Sequence, residues 1–223
     1  KYNKNAINLI NQNNIPLVLV DREMPECQTN FVRCDDYQGG YIAGKHLLEL
    51  GHRHFLYLPG PKYNLSQTRR YAGIMDALSE ANVPASNIRE IDYHTVFGSS
   101  AESTSSYKPY EELFFPVNYT AVIGFNDLQS YSAMEILQKK GYRIPEDISL
   151  ISFDHLRKTH TYLPPLTSIA DNSEKSIADT AVSILLDKIR NPSSEISSEV
   201  LPVSIFDDHT TGPINETFAH SFE

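Results

Sequence analysis

The sequence predicts an α/β protein built on doubly wound parallel sheet. Short, continuously apolar runs at 15–20, 54–58, 120–125 and 148–153 alternate with stretches whose apolar residues recur every three or four positions. Strands covered by helices on both faces read as unbroken apolar runs, whereas half-solvated antiparallel strands alternate. Several runs stop abruptly at hydrophilic residues: Asp21-Arg22, Asn126-Asp127 and Asp154. In an open parallel sheet, ligands bind beyond the carboxyl ends of the strands, where the winding reverses.

Residues 5–13 read as the end of a short helix carrying Ile7, Leu9 and Ile10, followed by strands at 15–20 and 31–34. Asp35-Asp36 can cap a helix whose inner face is Gly40, Ala43, Gly44, Leu47 and Leu48, and Gly51 supplies its left-handed stop. A strand at 54–58 ends at the breaker Pro59-Gly60-Pro61. Ser66 is a cap candidate for a helix that buries Tyr71, Ile74, Met75, Leu78 and Ala81. A short strand at 88–91, a polar loop at 94–106 and a helix at 107–115 come next. The strand 120–125 runs into a helix at 127–140, which Gly141 ends. After the strand 148–153, residues 155–166 are irregular and Thr167-Ser168-Ile169 reads as a link. Asp171 and Glu174 have the spacing of a capping box. The helix they would open places Ile177, Ala181, Ile184, Leu185 and Ile189 on one stripe and stops at Asn191-Pro192. Residues 200–206 form a last strand, and the tail from Asp207 onward reads as frayed.

Composition narrows the function. The 223 residues are 40% hydrophobic and 21% charged, an ordinary globular balance. A net charge of -9 and a pI near 5.3 repel phosphate backbones, so this chain alone is a poor binder of nucleic acid. Cys27 and Cys34 read as reduced thiols and give no metal spacing. No apolar run is long enough to span a membrane. The nucleophile elbow, phosphate loop, zinc-protease and dinucleotide-binding motifs are all absent from the sequence, and the eight histidines are scattered. No cofactor and no metal is expected. Asn126 and Asp127 are good helix caps as well as candidate ligands, Asp154 is a turn former as well as a strand-tip acid, and an arginine placed like Arg70 is usually a solvated helix arginine.

Read together, the motifs resemble the lactose-repressor (LacI/GalR) family. "NFVRCDDYQGGYIAGKHLLELGHRHFLYLPGP" resembles the stretch in which a strand, a glycine-bearing helix and "LGHR" precede a Gly-Pro breaker. "RRYAGIMDAL" is similar to the next helix, "TAVIGFNDLQSYSAMEILQKKGYRIPEDISLISFDH" to the family's most recognisable block, and "LPPLTSI" to its crossover. The resemblance runs to about Phe206. It implies a type I periplasmic-binding-protein-like fold, with two lobes joined by three crossovers near Gly51, Ala170-Asp171 and Pro202. The lobes would be 1–51 with 172–201, and 52–171 with 202–223.

The resemblance also implies a function. Family members bind a small effector, commonly a sugar or a purine, in the cleft, dimerise, and bind DNA through a separate N-terminal head. On that basis this chain is expected to be the effector-binding, dimerising part of a repressor. The effector would contact both lobes and bias their closure. An exported sugar-binding protein of a transporter is the alternative, and an α/β enzyme a third class. Arg70 matches the family's effector-binding arginine and Asp154 its strand-end aspartate. Asn126 falls at a polar contact of sugar-responsive members, Gln38 at a cleft-facing position, and Ile123 and Phe125 near an aromatic of purine-responsive ones. Carboxylate and guanidinium groups suit the adjacent hydroxyls of a sugar. The family begins with further strands before the first helix here, so the chain is read as a fragment. The family's Arg-Glu-Ser after the last strand is Asp207-Asp208-His209 here. A cytoplasmic homodimer that meets DNA only through a domain outside this chain completes the expectation.

Overall fold

The computed structural model describes residues 4–91 and 110–219. In chain order its main elements are α1 (Lys4–Gln12), β1 (Val18–Val20), β2 (Asn30–Cys34), α2 (Asp36–Glu49), β3 (Phe55–Leu58), α3 (Leu65–Glu80) and β4 (Ile88–Glu90). Then come β5 (Ala121–Gly124), α4 (Asp127–Lys139), β6 (Ser149–Phe153), β7 (Thr167–Asp171), α5 (Ile177–Arg190), β8 (Ser198–Leu201), β9 (Val203–Phe206) and α6 (Glu216–Ala219). The polar stretch 94–106 lies outside the described residues. Of the helix expected at 107–115, the described part is a 3-10 turn, Tyr110–Phe114.

Two compact units are formed: Lys1–Asp35 with Asp171–Ser204, and Asp36–Ala170 with Ile205–Glu223. The first unit holds a parallel sheet in the order β1-β2-β8. Val32, Ala181, Ile184 and Leu201 are its core, with Val18 and Ile177 packed at the margin. Helix α5 starts later than the Asp171/Glu174 spacing suggests. Strand β7 stays extended through Asp171, whose Oδ1 accepts the Ser173 amide at 2.8 Å, and the helix is capped by Ser176, whose Oγ accepts from the Asp179 amide. The predicted stripe is also cut short, because Ile189 is exposed.

The second unit holds a six-stranded sheet in the order β4-β3-β5-β6-β7-β9. The pairs from β4 to β7 are all parallel, so their carboxyl ends share one edge. The order shows that winding reverses at β3, which has β4 on one side and β5 on the other. Leu56, Leu58, Val122 and Leu150 pack on one face against Ala133, Met134 and Leu137 of α4. Phe55, Tyr57, Ile123, Ile151 and Phe153 alternate to the opposite face and are also buried. Each such large apolar side chain contributes roughly 1.5–3 kcal/mol when withdrawn from water.

Helix α2 packs on α3 in this second unit, which begins at Asp36. Their close approach rests on a pair of glycines. A Cβ on Gly40 would lie 1.9 Å from the Arg70 carbonyl oxygen, and one on Gly73 would lie 2.1 Å from that of Tyr37. Their absence lets the two backbones touch.

Four further expectations are corrected. Helix α3 is capped by Asn64 and not Ser66, because Asn64 Oδ1 accepts the Ser66 amide at 2.9 Å. Its inner face is Arg70, Gly73, Ile74, Ala77 and Leu78, while Ala81 is exposed. Thr167-Ser168-Ile169 belongs to a full strand, β7, and the single strand expected at 200–206 is two, split at Pro202.

The tail after Phe206 is not frayed over the described residues. Leu150 donates its amide to the Thr210 carbonyl at 2.7 Å, and Thr210 Oγ1 donates to the Leu150 carbonyl at 2.7 Å. His52, 2% exposed, pins the same segment. Its Nε2 lies 3.0 Å from the Gly212 carbonyl and 2.9 Å from Ser149 Oγ, and its Nδ1 lies 2.9 Å from Thr120 Oγ1. A carbonyl can only accept, so the proton belongs on Nε2. His46 Nε2 adds a 2.9 Å contact to Thr211 Oγ1.

Candidate functional site

Arg70 is the hub of the polar groups at the carboxyl edge of the second unit's sheet. It stands on the second turn of α3, whose start is fixed by Gln67. Gln67 Oε1 accepts from both Tyr57 Oη at 2.9 Å and the Gly60 amide at 2.6 Å. This ties the helix to the end of β3 and delivers Arg70 beside the ends of β5 and β6.

There the guanidinium is 6% exposed and nearly fully engaged. Nε donates to Asp36 Oδ1 at 2.9 Å and Nη1 donates to the Phe125 carbonyl at 2.6 Å. Nη2 lies 3.5 Å from Asp154 Oδ1. The rings of Phe125 and Phe153 sit 5.0 Å and 4.5 Å from the guanidinium carbon. A buried charge survives only when paired and hydrogen-bonded, and two carboxylates with two π faces provide that here.

Asp154 is the accessible member of the set, its side chain 41% exposed. Burial pushes its carboxyl above the usual carboxylate range, Asp36 adds to the rise, and Arg70 opposes it. Its backbone φ is +98°, and that of His155 is +50°. Two consecutive non-glycine residues in the left-handed region cost on the order of 1–3 kcal/mol each. Beyond the turn, the His155 ring stacks on Phe206 with centroids 4.4 Å apart, and Arg157 pairs with Asp208 at 2.9 Å. The Asp207-Asp208-His209 segment therefore has structural partners of its own. Asp207 Oδ1 accepts from Thr167 Oγ1 at 3.1 Å and from the His209 amide at 2.8 Å.

Of the six residues singled out in the sequence, the structure brings together Arg70, Asp154 and Phe125. Phe125 contributes its carbonyl and ring, and it fits because Gly60 leaves room: a Cβ there would be 2.6 Å from the ring. Asn126 stands at the same strand end, but its Oδ1 is committed to capping α4 through the Gln129 amide at 3.0 Å. Ile123 is 0% exposed, because both faces of the strand are covered and it sits inside the packed sheet. Gln38 is exposed on the first turn of α2, about 200° round the helix from Asp36. It does not share the face that meets Arg70.

Sequence reasoning missed Asp36, the buried partner of Arg70. An acid opening a helix is fully explained by capping, so nothing local marks it. Its Oδ2 is buried and has no hydrogen-bond partner among the described residues. The described residues contain no cluster of histidine, cysteine and acidic groups able to hold a metal ion, and no helix among them is long and apolar enough to cross a membrane.

Residues 45–211 match the family described as periplasmic binding protein-like domain. The chain is 35% identical over 193 residues to the HTH-type transcriptional repressor PurR of Escherichia coli O139:H28, with 84% of this chain and 54% of that protein covered. It thus spans about half the length of the curated relatives it matches. Among solved structures it is similar to a LacI family transcriptional regulator from Enterococcus faecium with bound ribose. The TM-score is 0.79 and the identity 26%, covering 96% of this chain and 77% of that one. It is also similar to a complex of the transcriptional regulator CelR with cellobiose, at a TM-score of 0.73 and 25% identity, covering 91% and 61%.

Proposed function

The chain belongs to the periplasmic binding protein-like domain family, as an effector-binding domain of the LacI type, and on that premise we propose that it senses a neutral sugar for a bacterial transcriptional repressor. One observation carries the choice of ligand. Arg70 is flanked by Asp36 and Asp154, and Asp154 keeps an open face at the strand edge. One guanidinium between two carboxylates leaves the cluster with an excess of negative charge and of acceptors. Adjacent hydroxyls, which donate and accept together, complement it, whereas a phosphorylated ligand would be repelled.

A purine is less well served. The rings of Phe125 and Phe153 are 8% and 2% exposed and already face Arg70, so neither offers a free surface for stacking. The ribose and cellobiose found in the similar regulators point the same way.

The rest of the reading concerns the whole protein. Sugar binding would shift the affinity of a DNA-binding domain outside this chain, by linkage and without catalysis, in the cytoplasm where the DNA lies. The protein would act as a homodimer. Leu128 on α4 and Tyr162 on the loop between β6 and β7, 66% and 81% exposed, offer apolar surface for a second copy. Relatives named as transcriptional repressors favour this over a transporter's sugar-binding protein.

Calorimetry of the full-length protein against D-ribose, cellobiose, hexoses and purine bases tests the proposal. We expect saturable heat with a sugar, its affinity lowered about 10- to 100-fold in Asp154→Ala while the far-ultraviolet circular dichroism is kept. Saturable heat with a purine alone, or unchanged sugar affinity in Asp154→Ala, would refute it.

A further inference from the structure

Asp127 is a buried acid whose own helix does not need it. Helix α4 is already capped by Asn126, yet the Asp127 side chain is 1% exposed and turned toward the far side of the sheet edge. Its Oδ2 accepts the Leu156 amide at 2.7 Å. Its Oδ1 accepts the hydroxyl of Ser168 on β7 at 2.9 Å. The Ser168 oxygen in turn accepts the His155 amide at 3.0 Å. The Asp154 amide itself donates to the Ile169 carbonyl at 3.0 Å. Three consecutive amides, those of Asp154, His155 and Leu156, are thus claimed one by one from behind, by β7 and by α4.

We infer that Asp127, acting with Ser168, is a positioning residue for the effector site, fixing the turn that presents Asp154 beside Arg70. The inference rests on the reading of that site as the effector site and adds to it the device that holds its exposed acid in place. Asp154 and His155 both sit in the left-handed region without being glycine, so the turn persists only where its surroundings over-determine it. The chemistry also requires an acid. The Leu156 amide and the hydroxyls of Ser168 and Ser152 converge on one side chain, and a carboxylate offers acceptors on both of its oxygens. An isosteric amide offers one oxygen, so Asp127→Asn leaves one donor unmet and breaks either the direct bond or the serine link. Burial pushes the Asp127 carboxyl up, and the donors around it pull it back.

The test uses full-length protein carrying Asp127→Asn or Ser168→Ala, and two independent measurements. The first needs no ligand. Amide hydrogen exchange over residues 154–158 should quicken roughly tenfold or more in each variant, with β3 and β5 unchanged. Exchange that stays as in the unaltered protein would overturn the inference. The second is calorimetry with D-ribose as the probe, well below melting. Affinity should fall about tenfold or more, toward that of Asp154→Ala. A lowered melting temperature with affinity unchanged would make Asp127 merely structural and defeat the inference. Should the unaltered protein give no heat with any sugar, the proposed effector falls, and the exchange measurement alone still decides whether Asp127 and Ser168 hold the turn.

Discussion

Arg70 and Asp36 stand 34 residues apart in sequence and form a buried, charge-assisted hydrogen bond 2.9 Å long. The bond joins α3 to the first residue of α2, where the glycine contact already holds the two helices together. Removing one partner strands the other as a buried charge, which typically costs about 3–5 kcal/mol, whereas replacing both by apolar residues is often close to neutral. Asp36→Leu should therefore lower stability to urea by a few kcal/mol, and adding Arg70→Met should recover part of that loss. A double variant no more stable than the single one would contradict this account of the pair.

Asp154→Gly separates stability from function. Glycine accepts φ of +98° at no steric cost, while its greater freedom in the unfolded chain offsets part of the gain. Relief of the strained φ offsets loss of the 3.5 Å pairing with Arg70, so the variant should keep its stability to within about 1 kcal/mol. Sugar affinity should nonetheless drop about 10- to 100-fold, the loss of a hydrogen bond to a charged group. Thermal melting and calorimetry on the same preparation check both halves.

His52 sets an acid limit on the fold. Burial lowers its pKa from 6.5 to about 4, with the Gly212 carbonyl pulling the other way. The unfolded chain therefore takes up a proton before the folded one does as pH falls. The stabilisation is complete above pH 6.5 and is lost progressively as pH falls toward 4, by roughly 3 kcal/mol in all. His46 is shifted in the same direction by burial, whereas Asp127 and Asp154, raised by burial, contribute with the opposite sign. The comparison that isolates His52 is therefore His52→Gln against the parent. The variant should be less stable at pH 7 and should lose less stability between pH 6.5 and 4. Parallel curves for the two proteins would show that another group governs the loss.

Much of the architecture was legible because parallel strands announce themselves as apolar runs. β3, β5 and β6 lie close to where the sequence puts them, and Gly51 and Gly141 adopt the positive φ that ends their helices. β7 looks like a link in the sequence because two of its side chains are hydroxyls, and those hydroxyls are buried to serve Asp127, Asp207 and the His155 amide. The tail hides its order for a related reason. Asp207-Asp208-His209-Thr210 looks solvated until its partners on β6 and β7 are known, and these lie far away in the chain. In the site, Arg70 and Asp154 could be picked out by motif, but Asp36 could not, since a capping role hides it. Asp127 drew notice at the strand tip, yet its partners Leu156 and Ser168 come from elements the sequence left irregular.

The lodging of Thr210 and Gly212 in the second unit bears on how the protein is made. Translation delivers Arg70, Asp36 and Asp154 well before Thr210, which follows Leu150 by 60 residues. Until those last residues leave the ribosome, His52, Ser149 and Leu150 lack the partners that close the amino-terminal end of the sheet. A nascent chain halted before Thr210 would already carry Asp36, Arg70 and Asp154 while the amino-terminal end of its sheet still lay open to solvent and to chaperones.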